Sequence, residues 1–326
     1  MKNIILWGLI ATLLVVGFVL SYGNNRTEAR VGVIAPLTGI FAFYGEDVQR
    51  GVLASGISAS STVFEDEKCE SVAAVSAFTK LVNIDKAAII IGPACGSPQE
   101  AVVPLLREAD AVVLVPSSAS SKLFAQSGGK FFNVQYSLEN DGAFLARTLA
   151  GKRVVLVSYQ NAFSETIAES FKANFDGQVV SELSFRDDKT DIATELIKLR
   201  GLEYDAVVVT DVTFFFAGGM EKLERFDIQA PVYAQYTIEL PAARPLAEGV
   251  YYSFPADVEG TQGATFELSK KAGEIANQTL MACGDDSECA IAYLRNSGLF
   301  DETGVYKREI VLKQIKNGMP IKVESL

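Results

Sequence analysis

Four short runs set the terms on which this chain can fold: "AAIIIG", "AVVLVP", "RVVLVS" and "AVVVTD". Each is continuously apolar and rich in β-branched residues, without the alternation of a strand that wets one face. Runs of this kind are strands covered on both faces, as in parallel sheets flanked by helices. Strand patterns fall at residues 31–37, 62–65, 88–92, 111–115 and 131–135, then at 153–159, 178–185, 205–211, 231–235 and 249–254. Helical patterns lie between them at 46–54, 70–82, 98–108 and 138–150, then at 165–173, 191–199 and 217–226. Strands alternating with helices make β-α-β units. The chain therefore reads as α/β, with two Rossmann-like lobes dividing near residues 133–138. A long helix at 261–281 follows, and then a two-stranded finish that turns at Asn317-Gly318.

Composition narrows the function. The 326 residues carry a net charge of −11, which repels phosphate backbones and argues against a nucleic-acid partner. The chain has no histidine, which removes Ser-His-Asp and Cys-His nucleophile systems and H-E-x-x-H metal sites. Neither a metal nor a cofactor is expected, and neither is an enzyme. Lys2 precedes an uncharged apolar run from Ile4 to Leu20, followed by Ser21, Tyr22 and Gly23. This reads as a cleaved export signal or a retained single anchor, covering residues 1–23. Either reading places the body outside the cytoplasm, in the periplasm or its equivalent. The four cysteines, Cys69, Cys95, Cys283 and Cys289, suit an exported chain with disulfides and allow three pairings. Cys283 and Cys289 bracket "GDDSE", a short polar loop that closes easily.

In open α/β sheets, ligands sit beyond the carboxyl ends of strands, against helix N-termini. Three such ends stand out. "VGVIAPLTGIFAFYGEDVQRG" passes from a strand through a glycine loop with Tyr44 into a helix expected from Glu46. "IIIGPACGSPQEA" places Gly96 and Ser97 before a helix, with Pro98 suited to its first position and Ser97 and Glu100 at capping-box spacing. "VVLVPSSASSKLF" offers Ser117, Ser118, Ala119 and Ser120 ahead of another short helix. Free N–H groups at such helix starts favour a carboxylate or similar anion. No G-x-x-x-x-G-K-[ST] and no G-x-G-x-x-G occurs, so a nucleotide is not the anion indicated. Asp211 and Phe214 follow a strand end in the second half and join the candidate set, Asp211 also reading as a cap for the next helix.

The three loops, "FEDEKCESVAAVSAFTKLVN" and the tail "FDETGVYKREIVLKQIKNG" together resemble the type I periplasmic binding proteins of the leucine/isoleucine/valine-binding class. The resemblance runs over residues 31–323. It implies two lobes joined by several crossover strands, closing around a small polar ligand such as an amino acid, carboxylate or amide. It also implies delivery of that ligand to an ABC transporter permease, with a membrane-tethered sensor of the same fold as the alternative. On this basis the lobes comprise residues 30–133 plus 256–300, and 134–255 plus 301–326, in a monomer that meets the membrane only through its N-terminal segment. The resemblance implies a Cys69–Cys95 disulfide, with Cys283–Cys289 as the second bond. Tyr44 matches the aromatic that packs on the ligand. Gly96 falls where a ligand-binding serine is common, with Ser97 beside it. Ser117, Ser118 and Ala119 match a "P-S-A-T" loop, and Ser120 stands next to the position of its threonine. Phe163 replaces a tyrosine. Tyr236 stands where the family usually has the acid that binds a ligand ammonium. A small carboxylate or other polar ligand is accordingly expected, in place of a branched-chain amino acid held in the family's manner.

Overall fold

A computed structural model of the chain describes residues 30–186, 191–258 and 263–324. The expected export segment lies outside these residues, as do the first positions of the predicted 261–281 helix. Among the described residues, no helix is long and apolar enough to cross a membrane.

The first sheet is assembled from β1 (Val31–Ala35), α1 (Ala42–Leu53), β2 (Thr62–Asp66), α2 (Ser71–Asn83), β3 (Ile89–Ile91), α3 (Gly96–Glu108), β4 (Val112–Val115), α4 (Lys122–Gln126) and β5 (Phe131–Asn133). Its strands are all parallel, in the order β2-β1-β3-β4-β5. Then come α5 (Leu138–Thr148), β6 (Arg153–Tyr159), α6 (Ala162–Asn174), β7 (Gln178–Phe185), α7 (Ala193–Leu196), β8 (Ala206–Val209), α8 (Thr213–Phe216), α9 (Gly219–Arg225), β9 (Val232–Ala234) and β10 (Tyr251–Pro255). The chain continues through α10 (Ala264–Cys283) and α11 (Ser287–Asn296) to β11 (Ile310–Lys316) and β12 (Met319–Lys322). The second sheet runs β12-β11-β10-β9-β8-β6-β7. It is parallel from β10 to β7 and antiparallel where β11 joins β10 and β12. The expected tail turn is there, with Asn317 at φ +53° and Gly318 at φ +70°, the conformation a two-residue hairpin demands.

The unalternating strands are buried as their sequence requires. In β3, Ile89 and Ile91 enter one apolar cluster and Ile90 the cluster on the opposite face. In β8, Val207 and Val209 likewise part from Ala206 and Val208. Although α10 and α11 lie in sequence between β10 and β11 of the second sheet, Ala272, Ile275, Ala276, Ala290 and Leu294 pack on the first. The chain therefore passes between the two sheets after β5, after β10 and before β11. Buried polar groups tie these passages together. Arg308 donates to the Val134 carbonyl at 2.8 Å, and its guanidinium lies 4.6 Å over the Tyr306 ring. The Tyr136 hydroxyl donates to Ser253 at 3.3 Å, and Ser253 donates to the wholly buried Asp141.

Several boundaries differ from the sequence reading for local reasons. α1 begins at Ala42, not Glu46, so Tyr44 lies in its first turn. Gly45 permits this, because a Cβ there would stand 2.1 Å from the Pro36 carbonyl oxygen. α3 begins at Gly96 with Cys95 at its cap position, so Ser97 caps nothing. The predicted 217–226 helix is α9, and a separate short helix, α8, precedes it, the two divided at Gly218 with φ +68°. The 191–199 pattern is α7 plus a 3-10 turn, Ile197–Leu199. α11 had no sequence counterpart. It starts inside the polar loop between Cys283 and Cys289, where Asp286 caps it by accepting the Cys289 amide at 2.9 Å.

Two outcomes follow from this packing. A Cβ on Gly51 of α1 would lie 2.4 Å from the Phe266 carbonyl oxygen and 2.8 Å from the Ser269 Cβ on α10. Gly51→Ala should therefore cost about 1–3 kcal/mol and lower the melting temperature by several degrees, as thermal unfolding will show. Burial pushes the Asp141 carboxyl up to about 8. The folded state then keeps a proton that the unfolded chain releases, so stability is full at acid pH and falls as pH rises toward 8. The slope is at most about 1.4 kcal/mol per pH unit, and Asp141→Asn should remove this part of the pH dependence in denaturant titrations at pH 5, 7 and 9.

Candidate functional site

The carboxyl ends of both sheets face one cavity of about 240 Å³. Its wall from the first sheet begins with α1, which contributes Phe41, Tyr44 and Asp47. Asp66, at the end of β2, fixes the loop leading into α1 by accepting the amides of Leu37 at 2.9 Å and Thr38 at 3.3 Å, together with the Thr38 hydroxyl. Burial works against ionisation of Asp66, but these bonds and the Lys68 amide prevail and hold its carboxyl below the usual range. The opening glycine loop is thus held by the protein's own carboxylate.

α3 presents Gly96, Ser97 and Pro98. The Gly96 and Ser97 amides have no acceptor among the described residues, and Pro98 has no N–H to offer. Ser117 braces this turn, accepting from Gln99 at 2.9 Å and donating to the Ala94 carbonyl at 2.8 Å. From the second sheet, α6 brings Phe163, whose amide is likewise free in the first turn. Asn161 caps that helix by accepting the Ser164 amide at 2.9 Å. α10 arrives behind Gly263, at φ +95° and without a side-chain cap, with Ala264 and Thr265 on the cavity wall. Three long helices therefore aim first-turn amides that have no acceptor among the described residues at one space, each with a partial positive charge.

Among the described residues no lysine or arginine lines the cavity, and each of its acids has at least one partner. Asp47 pairs with Arg50 at 2.8 Å. Asp211 accepts from Asn161 Nδ2 at 3.0 Å and from the Thr213 amide at 2.8 Å, which makes it a cap for α8 as well as a wall. Glu239 takes a bond from the Tyr252 hydroxyl and lies 3.3 Å from Lys313 Nζ, with Oε2 left unpaired. Burial raises the Glu239 and Asp47 carboxyls above their ordinary values. Two phenols complete the floor. Burial, aided by the neighbouring Tyr236, pushes the Tyr44 hydroxyl well above its ordinary range. Burial also pushes Tyr236 up to about 12. Both keep their protons at neutral pH and can donate. The Tyr236 oxygen accepts the Ser118 amide at 3.1 Å, a hydrogen bond running directly from one half of the molecule to the other. A Cβ on Gly96 would lie 3.6 Å from the Phe163 Cβ, so the two halves also meet between α3 and α6.

Of the residues singled out from sequence, Tyr44, Gly96, Ser97, Ser117, Ser118, Phe163, Asp211 and Tyr236 line the cavity. Ala119, Ser120 and Phe214 do not. Ala119 is buried, and its carbonyl accepts Asn133 Nδ2 and the Leu138 amide, both at 3.1 Å, at the first passage between sheets. Ser120 turns outward to donate to Glu139 at 2.6 Å. Phe214 fills the second core, edge-on to Phe215. Thr237 and the α10 start were not singled out, and nothing in their local pattern marks them. Cys69 pairs with Cys95 and Cys283 with Cys289, at Cα separations of 5.3 Å and 5.5 Å. Glu67 clusters with Cys69 and Cys95, but both sulfurs are committed to the disulfide.

Residues 28–284 match the family model described as periplasmic binding protein. An amino acid binding protein of Pseudomonas aeruginosa is 24% identical over 169 residues, which is 48% of this chain and 45% of that protein. The Leu/Ile/Val-binding protein BraC3 of Rhizobium johnstonii is 26% identical over 175 residues, 48% of this chain and 47% of its own. The chain thus spans about half the length of the curated relatives it matches. Among solved structures, the leucine binding protein LivK of Thermotoga maritima superposes with a TM-score of 0.81 at 17% identity, covering 91% of this chain and 98% of that one. The branched-chain amino acid transporter substrate binding protein LivJ of Streptococcus pneumoniae, in complex with isoleucine, gives 0.75 at 20% identity, covering 91% and 100%. A solute binding protein of an ABC transporter from R. palustris, in complex with benzoate, gives 0.75 at 17% identity, covering 91% and 95%. Two α/β halves around a cleft, and a family match over most of the chain, give the conclusion that it belongs to the periplasmic binding protein family, with the type I fold shared by LivK and LivJ; members of that family bind solutes and are not enzymes.

Proposed function

We propose that this protein is an extracytoplasmic receptor that captures a small carboxylate between two lobes and presents it to an ABC transporter permease. The apolar run from Ile4 to Leu20 serves export in this reading, and the lobes are residues 30–133 plus 256–300 and 134–255 plus 301–326. The observation that carries the ligand class is the convergence, among the described residues, of amides without acceptors at the starts of α3, α6 and α10 on a cavity wall with no lysine or arginine. A negative group is stabilised there by dipoles alone. The apolar remainder of the ligand rests against Phe41, Phe163 and Leu240. Isoleucine and benzoate, bound by two structural neighbours, share a carboxylate on an apolar body.

Tyr236 argues against an α-amino group. A buried ammonium without an anionic partner is costly, by several kcal/mol. The phenol at this position keeps its proton, and the nearby acids Asp211 and Glu239 have partners of their own. A thermal-shift panel of α-amino acids, their des-amino carboxylates and the corresponding amides tests this. At 100 times its dissociation constant a ligand adds roughly 2.7 kcal/mol, and the carboxylates should give the largest shifts. The largest shift from leucine, isoleucine or valine would reverse the reading, and its loss in Asp211→Asn would show where the ammonium is held. In Tyr236→Phe, the buried Ser118 amide loses its acceptor at a cost of about 1–3 kcal/mol. Affinity for the best panel ligand should fall roughly tenfold or more, with circular dichroism unchanged.

A further inference from the structure

Glu67 stands just after β2, behind the cavity wall, and is wholly buried. It makes an asymmetric pair of hydrogen bonds. Oε1 accepts both the Ala94 amide at 3.1 Å and the Cys95 amide at 3.0 Å, while Oε2 has no partner. Two acceptances on one oxygen tie the 94–95 backbone to the end of β2, and the second oxygen is buried without a partner among the described residues. The chain reaches this geometry through two successive left-handed residues, Lys68 at φ +52° and Cys69 at φ +57°, an unusual backbone for side chains larger than glycine. Ala94 and Cys95 themselves line the cavity, and the next two amides are those of Gly96 and Ser97.

Resting on the anion reading of the cavity given above, we propose that Glu67 is a positioning residue for ligand capture. As a neutral acid it fixes the 94–95 backbone so that the Gly96 and Ser97 amides point at the ligand. When ionised it places a negative charge behind the same amides and weakens their hold on an anion. Burial, opposed by the two amide bonds and assisted by Asp66, pushes the Glu67 carboxyl up to about 8. The groups facing it are Asp66, which stays ionised, and the Tyr44 phenol of α1, which keeps its proton. The Cys69–Cys95 disulfide contributes no titration. Of these groups, only Glu67 changes charge near pH 8.

The experiment uses the oxidised full-length protein and benzoate, whose charge is constant above pH 6. Calorimetry should find benzoate affinity level from pH 6 to 7.5 and about thirtyfold weaker at pH 9.5, the loss expected if binding requires a proton that leaves near 8. Glu67→Gln, which keeps a carbonyl acceptor and cannot ionise, should bind at pH 7 within a few-fold of the parent and show no such fall. Amide NMR of the unliganded protein should show the Ala94 and Cys95 resonances titrating with a midpoint near pH 8 in the parent and not in Glu67→Gln. An unchanged pH profile in Glu67→Gln, or Ala94 and Cys95 resonances that do not titrate in the parent, would overturn the proposal. Failure of benzoate to bind at any pH would count against the carboxylate reading instead, and the amide titration would then decide the role of Glu67 by itself.

Discussion

A backbone N–H in the first turn of a helix has no acceptor within that helix. Most proteins meet this need with a capping side chain or with water. Here the caps of α3 and α10 are Cys95 and Gly263, neither of which supplies one, and both helices start on the wall of the same cavity. Among the described residues, these helix starts give the cavity donors without acceptors. Its other polar groups leave that field in place. Asp66 is spent on the loop before α1, Asp211 on the start of α8, and Glu239 on Tyr252 and Lys313. This is the ground for proposing one small negative group there, with an apolar body beside it.

The two sheets make this arrangement because the carboxyl ends of their parallel strands point toward the cavity and the chain crosses between them three times. Crossing requires buried polar backbone and side chains, and these form networks. Arg308 holds Val134 and stacks on Tyr306, and Tyr136, Ser253 and Asp141 form a short chain beside them. The Tyr136 ring meets Tyr236 edge-on, with centroids 6.1 Å apart, and Tyr236 in turn accepts the Ser118 amide across the cleft. The passages and the cavity floor are thus in direct contact. Ligand contacts that favoured one relative position of the halves would act on the same groups that join them.

Much of this was legible in the sequence, for reasons that are local. Strands such as "RVVLVS" and "AVVLVP" declare two-sided burial through their lack of alternation, and the predicted bounds of β6 and β7 coincide with those observed. The glycine and serine loops and the end of "AVVVTD" mark strand ends, and six residues drawn from those ends line the cavity, joined by Phe163 and Tyr236, which the resemblance supplied. The rest depends on tertiary placement. Ala119 and Ser120 follow Ser118 directly, but the chain turns there to supply a carbonyl to Asn133 and a hydroxyl to Glu139, and no local pattern announces those partners. α10 comes from the far end of the sequence and presents its start through a glycine with no capping signal. Glu67 looks like one more acid in "FEDEKCE" until the fold buries it beneath two amides.

The central claim is that the cavity takes a small anion between halves that move together around it. It is tested most directly by pulsed electron–electron resonance between spin labels at Glu100→Cys on α3 and Glu165→Cys on α6, both exposed positions on helices that meet at the cleft. All four native cysteines are paired and stay so. Adding benzoate should shorten and narrow the distribution of label distances. A distribution unchanged at saturating ligand would contradict closure around the site.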